Sequence, residues 1–195
     1  MAIFDKVLQQ GVQQGIVPAR TKFAREWYRS AAESLYSRRI SSDTLLKDET
    51  RLVQNITYGY MYGFAYDPKW KKELPYYDQF PLIFPVEFHQ NGFTGINMHY
   101  LPHVLRARLM DALYTTVNNK IYNATTKVRI SYDVLKSVSK FRLFKPTLKK
   151  YLRNHIRSNF IQISSNEWDI ALFLPTENFK KASKDQVWAD SRKKI

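Results

Sequence analysis

Residues 81–101 read PLIFPVEFHQNGFTGINMHYL, and the fold class turns on them. Pro81 to His89 is apolar enough to be a strand. Asn91-Gly92 is the strongest short hairpin signal in the chain, because a tight two-residue turn needs residues that tolerate positive φ. Phe93 to Leu101 is then the return strand. Pro85 brings no N–H to a ladder, so it argues for an edge position or a bulge. Upstream, Tyr58, Tyr60, Tyr62, Phe64 and Tyr66 alternate with smaller residues, the period of two that marks a strand. Asp67-Pro68-Lys69 turns the chain, and Leu74-Pro75-Tyr76-Tyr77-Asp78 is an irregular segment fixed by proline. Far downstream, Phe160 to Ile163 reads as a late strand that rejoins the early ones. The expectation is an α+β fold: a small antiparallel SH3-like barrel or sheet with strands near 58–66, 80–88, 93–100 and 159–163, and flanking helices.

Helix signals surround this block. Residues 1–18 are Gln-rich with Gly11 and Gly15, which weaken a helix, and read as an extended or partly helical N-terminal arm. Pro18 suits a helix start, and Phe23, Trp27, Ala31 and Leu35 predict a helix over about 19–37 with one aromatic face. Ser42 or Asp43 can cap a short helix through Leu45 and Leu46. Pro102 opens another, with Leu105, Leu109 and Leu113 on one side and Arg106 and Arg108 on others. Ser131 can cap a helix through Val134, Leu135, Val138 and Phe141. Pro146 predicts one with Leu148, Leu152 and Ile156 along one side. Ser164-Ser165-Asn166-Glu167 is a capping-box pattern, and Ser183-Lys184-Asp185-Gln186 repeats the signal before Val187 and Trp188. No repeat or linker divides the chain, so residues 19–195 are expected to form one α+β domain behind the arm.

The chain has 195 residues, 44% hydrophobic and 15% aromatic, enough to bury a core. That content excludes a disordered basic tail. The absence of cysteine excludes disulfides, thiol catalysis and thiolate metal sites. No apolar run is long enough for a membrane span, so no membrane partner is expected.

The formal charge is +14, and its distribution is uneven. Residues 51–100 carry four basic and four acidic side chains, whereas residues 101–157 carry 13 basic and 2 acidic ones. A block of one sign repels itself, and contact with a polyanion or an acidic partner relieves the repulsion. The candidate contact residues are Arg106, Arg108, Lys127, Arg129, Lys145, Lys149, Lys150, Arg153 and Arg157. Such groups meet phosphates without sequence preference, and exposed aromatic rings can stack on unpaired bases.

Catalytic patterns are thin. The histidines are His89, His99, His103 and His155, and Pro102 keeps His99 and His103 off one helix face. No metal site or cofactor is expected, and His99 reads as a hydrogen-bonding residue of the sheet. Asp78 followed by Glu87-Phe88-His89 has the order of a Mg²⁺-dependent nuclease, with His89 where a lysine would stand. No nucleophile elbow or glycine-rich phosphate loop occurs. No catalytic residue is assigned.

The run from Gly59 through Tyr66-Asp67-Pro68-Lys69, Leu74-Pro75-Tyr76-Tyr77-Asp78, Phe80-Pro81-Leu82 and Gly92 to Pro102 resembles a small basic virion or virion-assembly protein family of tailed bacteriophages, the contractile-tailed, T4-like ones above all. The stretch Val187-Trp188-Ala189-Asp190-Ser191-Arg192 is similar to the same proteins. The resemblance covers about half of the chain and brings no catalytic residue with it. It implies a non-enzymatic structural component of the virion, in tail, baseplate or neck. Such a component would sit in the host cytoplasm during assembly, within a multi-subunit particle, its basic face toward DNA or an acidic partner among other virion proteins. Two alternatives stand beside it: a non-specific nucleic-acid protein on genome ends, and the nuclease of Asp78 and Glu87.

Overall fold

The computed structural model describes residues 3–18, 21–35, 42–117, 133–137 and 142–194. The strands among them are β1 (Leu52–Val53), β2 (Met61–Gly63), β3 (Tyr77–Asp78), β4 (Leu82–His89), β5 (Gly92–Asn97), β6 (Leu148–Leu152), β7 (Phe160–Ile163) and β8 (Phe179–Lys180). Six of them form one antiparallel sheet in the order β1-β7-β2-β4-β5-β6, and β3 pairs with β8. The mixed α and β class and the antiparallel sheet are as expected. Barrel closure is not shown: β1 and β6 are the edges of the ladder, and beyond it, among the described residues, a Tyr66–Ile156 bridge links flanking segments.

The hairpin at the centre forms with its turn one position earlier than Asn91-Gly92. Gln90 and Asn91 make the turn, and Gly92 already pairs with His89. Pro85 takes the bulge option, with the register shifting between Pro85 and Glu87 while β4 stays interior between β2 and β5. A bulge lets a residue without an N–H sit inside a sheet. The strand expected over 58–66 is realised only as Met61–Gly63, and that expected over 93–100 turns into a 3₁₀ turn at Met98–Tyr100. There the Asn97 side chain accepts from the His99 N–H and ends the extended run.

Strand alternation sorts the apolar residues onto two faces. Met61, Leu82, Phe84, Val86, Ile96, Ile161 and Ile163 join the main core with the helices. Tyr62, Phe64, Ile83, Phe93, Tyr151 and Phe160 form a second core on the other face. Phe64 stands edge-on to Tyr66, Phe93, Tyr151 and Phe160 at centroid distances of 5.0 to 6.1 Å, the arrangement that ring quadrupoles favour. Both faces of the sheet centre are therefore dry, which explains the unbroken apolar run at Pro81–Val86.

The helices cover the main core. These are α1 (Ile3–Gln13), α2 (Lys22–Glu33), α3 (Ser42–Leu46), α4 (His103–Val117), α5 (Trp168–Phe173) and α6 (Lys184–Lys193), together with a helical segment at 133–137. Thr21 caps α2 by accepting from the Ala24 N–H. The buried face of α2 is Ala24, Tyr28 and Ala32, one position round from the expected stripe, and Phe23 is exposed. Polar contacts decide the rotation. The Tyr28 hydroxyl donates to the Ile16 carbonyl at 2.9 Å, and Arg29 reaches Asp169 at 2.6 Å. The capping box at Ser164 and Glu167 forms, as does the Ser183 cap of α6. The expected Ser131 cap, Val138, Phe141 and the proposed break at Asn118-Asn119 lie outside the described residues.

The helix expected from Pro146 is a correction. Residues Arg142–Thr147 form a 3₁₀ turn containing Pro146, and Leu148–Leu152 is the edge strand β6. The fourfold spacing of Leu148, Leu152 and Ile156 suits a helix, but the sheet edge offered by β5 overrides it: Ile96 pairs with Leu148 and Gly92 with Leu152.

Candidate nucleic-acid interface

Strand β6 sets the geometry of the basic residues. Lys149 and Tyr151 project from one face of the edge strand and Leu148, Lys150 and Leu152 from the other, as a period of two requires. Tyr151 enters the aromatic core. Lys149 lies just beyond it, its Nζ 4.0 Å from the centre of the Tyr100 ring. The strand thus delivers an ammonium group to an aromatic wall at the mouth of the sheet.

A cleft of about 430 Å³ opens there. Tyr66, Trp70, Tyr76 and Tyr100 supply ring surface, and Lys69, Lys149 and Lys150 line it as well. Trp70 is 55% exposed and sits on a turn stitched by the Glu73 and Leu74 N–H groups donating to its carbonyl. The Lys69 Nζ lies 4.8 Å from the Trp70 ring centre. Lys181 braces this loop by donating to the Lys72 and Leu74 carbonyls. A smaller recess of about 250 Å³ adjoins the cleft, sharing Tyr76, Tyr100 and Lys149, and adds Lys145, Ser191 and Lys194.

The floor is a buried polar network. The Asn97 Nδ2 donates to Asp78 Oδ2 and to the Tyr151 hydroxyl, both at 3.1 Å. Asp78 also accepts from the Phe80 N–H and meets His99 Nδ1 at 2.7 Å. His99 Nε2 lies 3.2 Å from Thr176 Oγ1. Burial pushes the Tyr151 hydroxyl well above its ordinary range, so it stays a neutral donor or acceptor. The same cause raises Tyr100. Burial, and then repulsion from Lys194, lowers Lys149 to about 8.

The expected contact residues divide. Lys145, Lys149 and Lys150 come together along the cleft and its recess. Arg153 is exposed on a separate cleft of about 420 Å³ with His89 and Asn55. Arg157 donates to the Asn154 carbonyl and faces Asp67 at 3.9 Å. Arg108 is exposed on α4 and lines none of these clefts. Lys127 and Arg129 lie outside the described residues. Arg106 has no surface at all. It is 0% exposed and donates to the Leu101, Leu172 and His99 carbonyls and, at 2.7 Å, to Glu177. It is a structural arginine, and the expectation that it contacts a polyanion is corrected by its burial.

The nuclease pattern does not assemble. Asp78 is sealed in the network above, whereas the Glu87 side chain is 65% exposed past the β4 bulge, 3.9 Å from His89. Among the described residues no group of three or more His, Asp or Glu side chains is placed to hold a metal ion. Thr176, His99 and Asp78 follow each other in the order of a hydrolytic triad, but they are 5%, 0% and 5% exposed and His99 and Thr176 line none of the three clefts. His99 is a hydrogen-bonding residue as expected, but it bonds from the 3₁₀ turn after β5, between Asp78 and Thr176, and not within the sheet. Sequence reasoning missed Lys69, Trp70, Tyr76, Tyr100 and Lys194 as site residues. The one local signal was the Lys69-Trp70 pair, a cation beside a ring just after a turn.

Fold and site describe an α+β protein with a cleft of lysines and aromatic rings on an edge strand. Over residues 19–192 the chain matches the family described as Phage T4 terminal DNA protecting protein, and it belongs to that family. No curated protein and no solved structure matches it. The resemblance to T4-like phage proteins therefore stands. The expectation of a structural component of tail, baseplate or neck does not: a family described by the protection of terminal DNA favours the genome-end alternative instead.

Proposed function

We propose that this protein binds the ends of linear DNA and shields them, acting by occupancy and not by catalysis. The family match over residues 19–192 carries this reading. The cleft supports it. Lys69, Lys145, Lys149, Lys150 and Lys194 bring positive charge to one mouth, and none of them forms an ion pair among the described residues. Phosphates supply the missing partners and release counterions as they bind. Exposed Trp70 and the half-buried Tyr76 offer ring faces. Only at an end does a duplex present an unstacked base face, so a platform of rings beside a basic track distinguishes an end from an interior.

The test compares a short linear duplex with the same sequence closed into a circle, at low salt. The linear form is expected to bind more tightly and to survive an exonuclease when the protein is present. Equal affinity for the two forms, or unprotected ends at saturation, overturns the proposal.

A further inference from the structure

The recess beside the cleft holds an unpaired buried group. Ser191 is 2% exposed, and its Oγ has no hydrogen-bond partner. Nearly all buried hydroxyls in folded proteins are paired, so an orphan lining a polar recess points to a partner that arrives from outside the chain. Around it stand Lys145, Lys149 and Lys194, none with a carboxylate partner among the described residues. Four donors of this kind, three of them cationic, ask for an anion with several acceptor oxygens.

We propose that this recess is the seat of a terminal phosphate monoester, the end group of a phosphorylated DNA strand, with the Ser191 hydroxyl donating to one phosphate oxygen and the three lysines surrounding the others. The inference rests on the end-binding reading above and gives it a chemical specificity. A phosphomonoester carries between about one and a half and two negative charges near neutral pH and three strong acceptor oxygens. An internal phosphodiester carries one charge and two free oxygens, so it uses the recess less fully. The size agrees: about 250 Å³ holds a tetrahedral anion and several waters, each water filling roughly 30 Å³. The position agrees as well. Tyr76, Tyr100 and Lys149 line both the recess and the aromatic cleft, so the nucleotide bearing the phosphate would lie against the rings.

Two opposing charges bear on the recess. Ser191 and Lys194 sit at the C-terminal end of α6, whose dipole contributes about half a negative charge. Three ammonium groups outweigh it. Asp190 acts on Tyr76 but leans toward Lys193, at 3.9 Å.

The experiment measures binding of linear duplexes identical except for the end group, a 5′-phosphate, a 3′-phosphate or hydroxyls alone, with the closed circle as reference. The wild-type protein is expected to prefer one phosphorylated end by about tenfold, the worth of one charge-assisted hydrogen bond. Inorganic phosphate in excess should erase that preference. Ser191→Ala should also erase it while keeping the affinity for hydroxyl ends, and Lys194→Ala should erase it while weakening every DNA form, as loss of one phosphate-facing cation does. Ser191→Ala should melt no lower than the wild type, because it removes a buried unpaired hydroxyl. Preference for linear over circular DNA with no dependence on the end group overturns the phosphate seat and leaves end binding standing. No preference for linear DNA removes the reading on which the seat rests. A phosphate preference that survives both substitutions, or that inorganic phosphate leaves intact, places the group elsewhere and overturns the assignment.

Discussion

Arg106 and Lys149 belong to the same basic stretch of sequence and play opposite parts. Arg106 is enclosed by three carbonyls and Glu177. Burial raises the Glu177 carboxyl, but the Arg106 charge, a hydrogen bond with His103 and the His99 ring outweigh it and hold it well below the carboxylate range. Removing one partner of such a pair strands the other charge in the interior. Arg106→Ala should therefore lose about 3–5 kcal/mol of stability in urea unfolding. Lys150→Ala should change stability by less than about 0.5 kcal/mol, as exposed sites do, yet weaken DNA binding at low salt. If Lys150→Ala leaves affinity intact, the cleft is not the DNA contact. Lys149 gives a pH signature. It faces Tyr100 and Tyr76, with Lys194 and Lys145 on the same recess, and its free-protein value near 8 lies below the ordinary lysine range. A bound phosphate restores its proton, so affinity should fall as pH rises through about 8, and Lys149→Arg should flatten that fall. The stability sign is the reverse. Between about 8 and the ordinary value of 10.5 the unfolded chain binds more protons, so the fold gains stability as pH rises across that window. An affinity profile flat from pH 7 to about 9 would exclude Lys149 from the contact.

At the scale of elements, β6 is the piece that turns a charge block into a site, and β5 holds it there. Gly92 pairs with Leu152 so closely that a Cβ at position 92 would strike the Tyr151 carbonyl oxygen. Gly92→Ala should displace β6, costing about 1–3 kcal/mol and weakening DNA binding as Lys149 and Lys150 move. Ser164→Ala removes the capping-box acceptor ahead of α5, at the end of β7 and separated from β6 in the sheet by β2, β4 and β5, and should cost about 1 kcal/mol without altering DNA affinity. The two variants measured together by unfolding and by anisotropy separate a positioning role of β6 from general destabilisation. Equal affinities for both variants would deny β6 that role. The element scale is also where the local sequence signal fails most plainly. Leu148, Leu152 and Ile156 have helical spacing, and Lys149, Lys150, Arg153 and Arg157 complete a tidy amphipathic arc. Pairing with β5 converts that arc into a strand, a 3₁₀ turn and a loop, and sends Lys150 and Arg153 to different clefts.

For the whole molecule, a formal charge of +14 overstates what DNA meets. Arg29, Arg51 and Arg106 are engaged internally by Asp169, Glu167 and Glu177. The cations left facing outward near the cleft are few and grouped. Removing one phosphate-binding cation should lower the slope of log affinity against log salt by about 0.9 for duplex DNA. The triple change of Lys145, Lys149 and Lys150 to Ala should then reduce the slope by about 2 to 3, while Arg108→Ala leaves it nearly unchanged. An unaltered slope in the triple variant would move the DNA track away from β6.

The hairpin between β4 and β5, the Pro85 bulge, the late strand that rejoins the sheet, the capping box and the T4-like resemblance were all legible in the order of the residues. The turn, the bulge and the cap depend on neighbouring residues, where backbone geometry and side-chain hydrogen bonds act within a few positions. The charge surplus was legible too, because a count needs no fold. Which cations reach a surface is a matter of tertiary packing. Arg106 is buried because Glu177 and three carbonyls, the Leu172 carbonyl among them, converge on it from separate segments. Lys149 joins Tyr100, Trp70 and Lys194 because long-range strand pairing brings their segments together. Spacing along the chain carries no trace of such convergence, so the partners of the cleft are set only when distant strands pair and bring their flanking loops to one place.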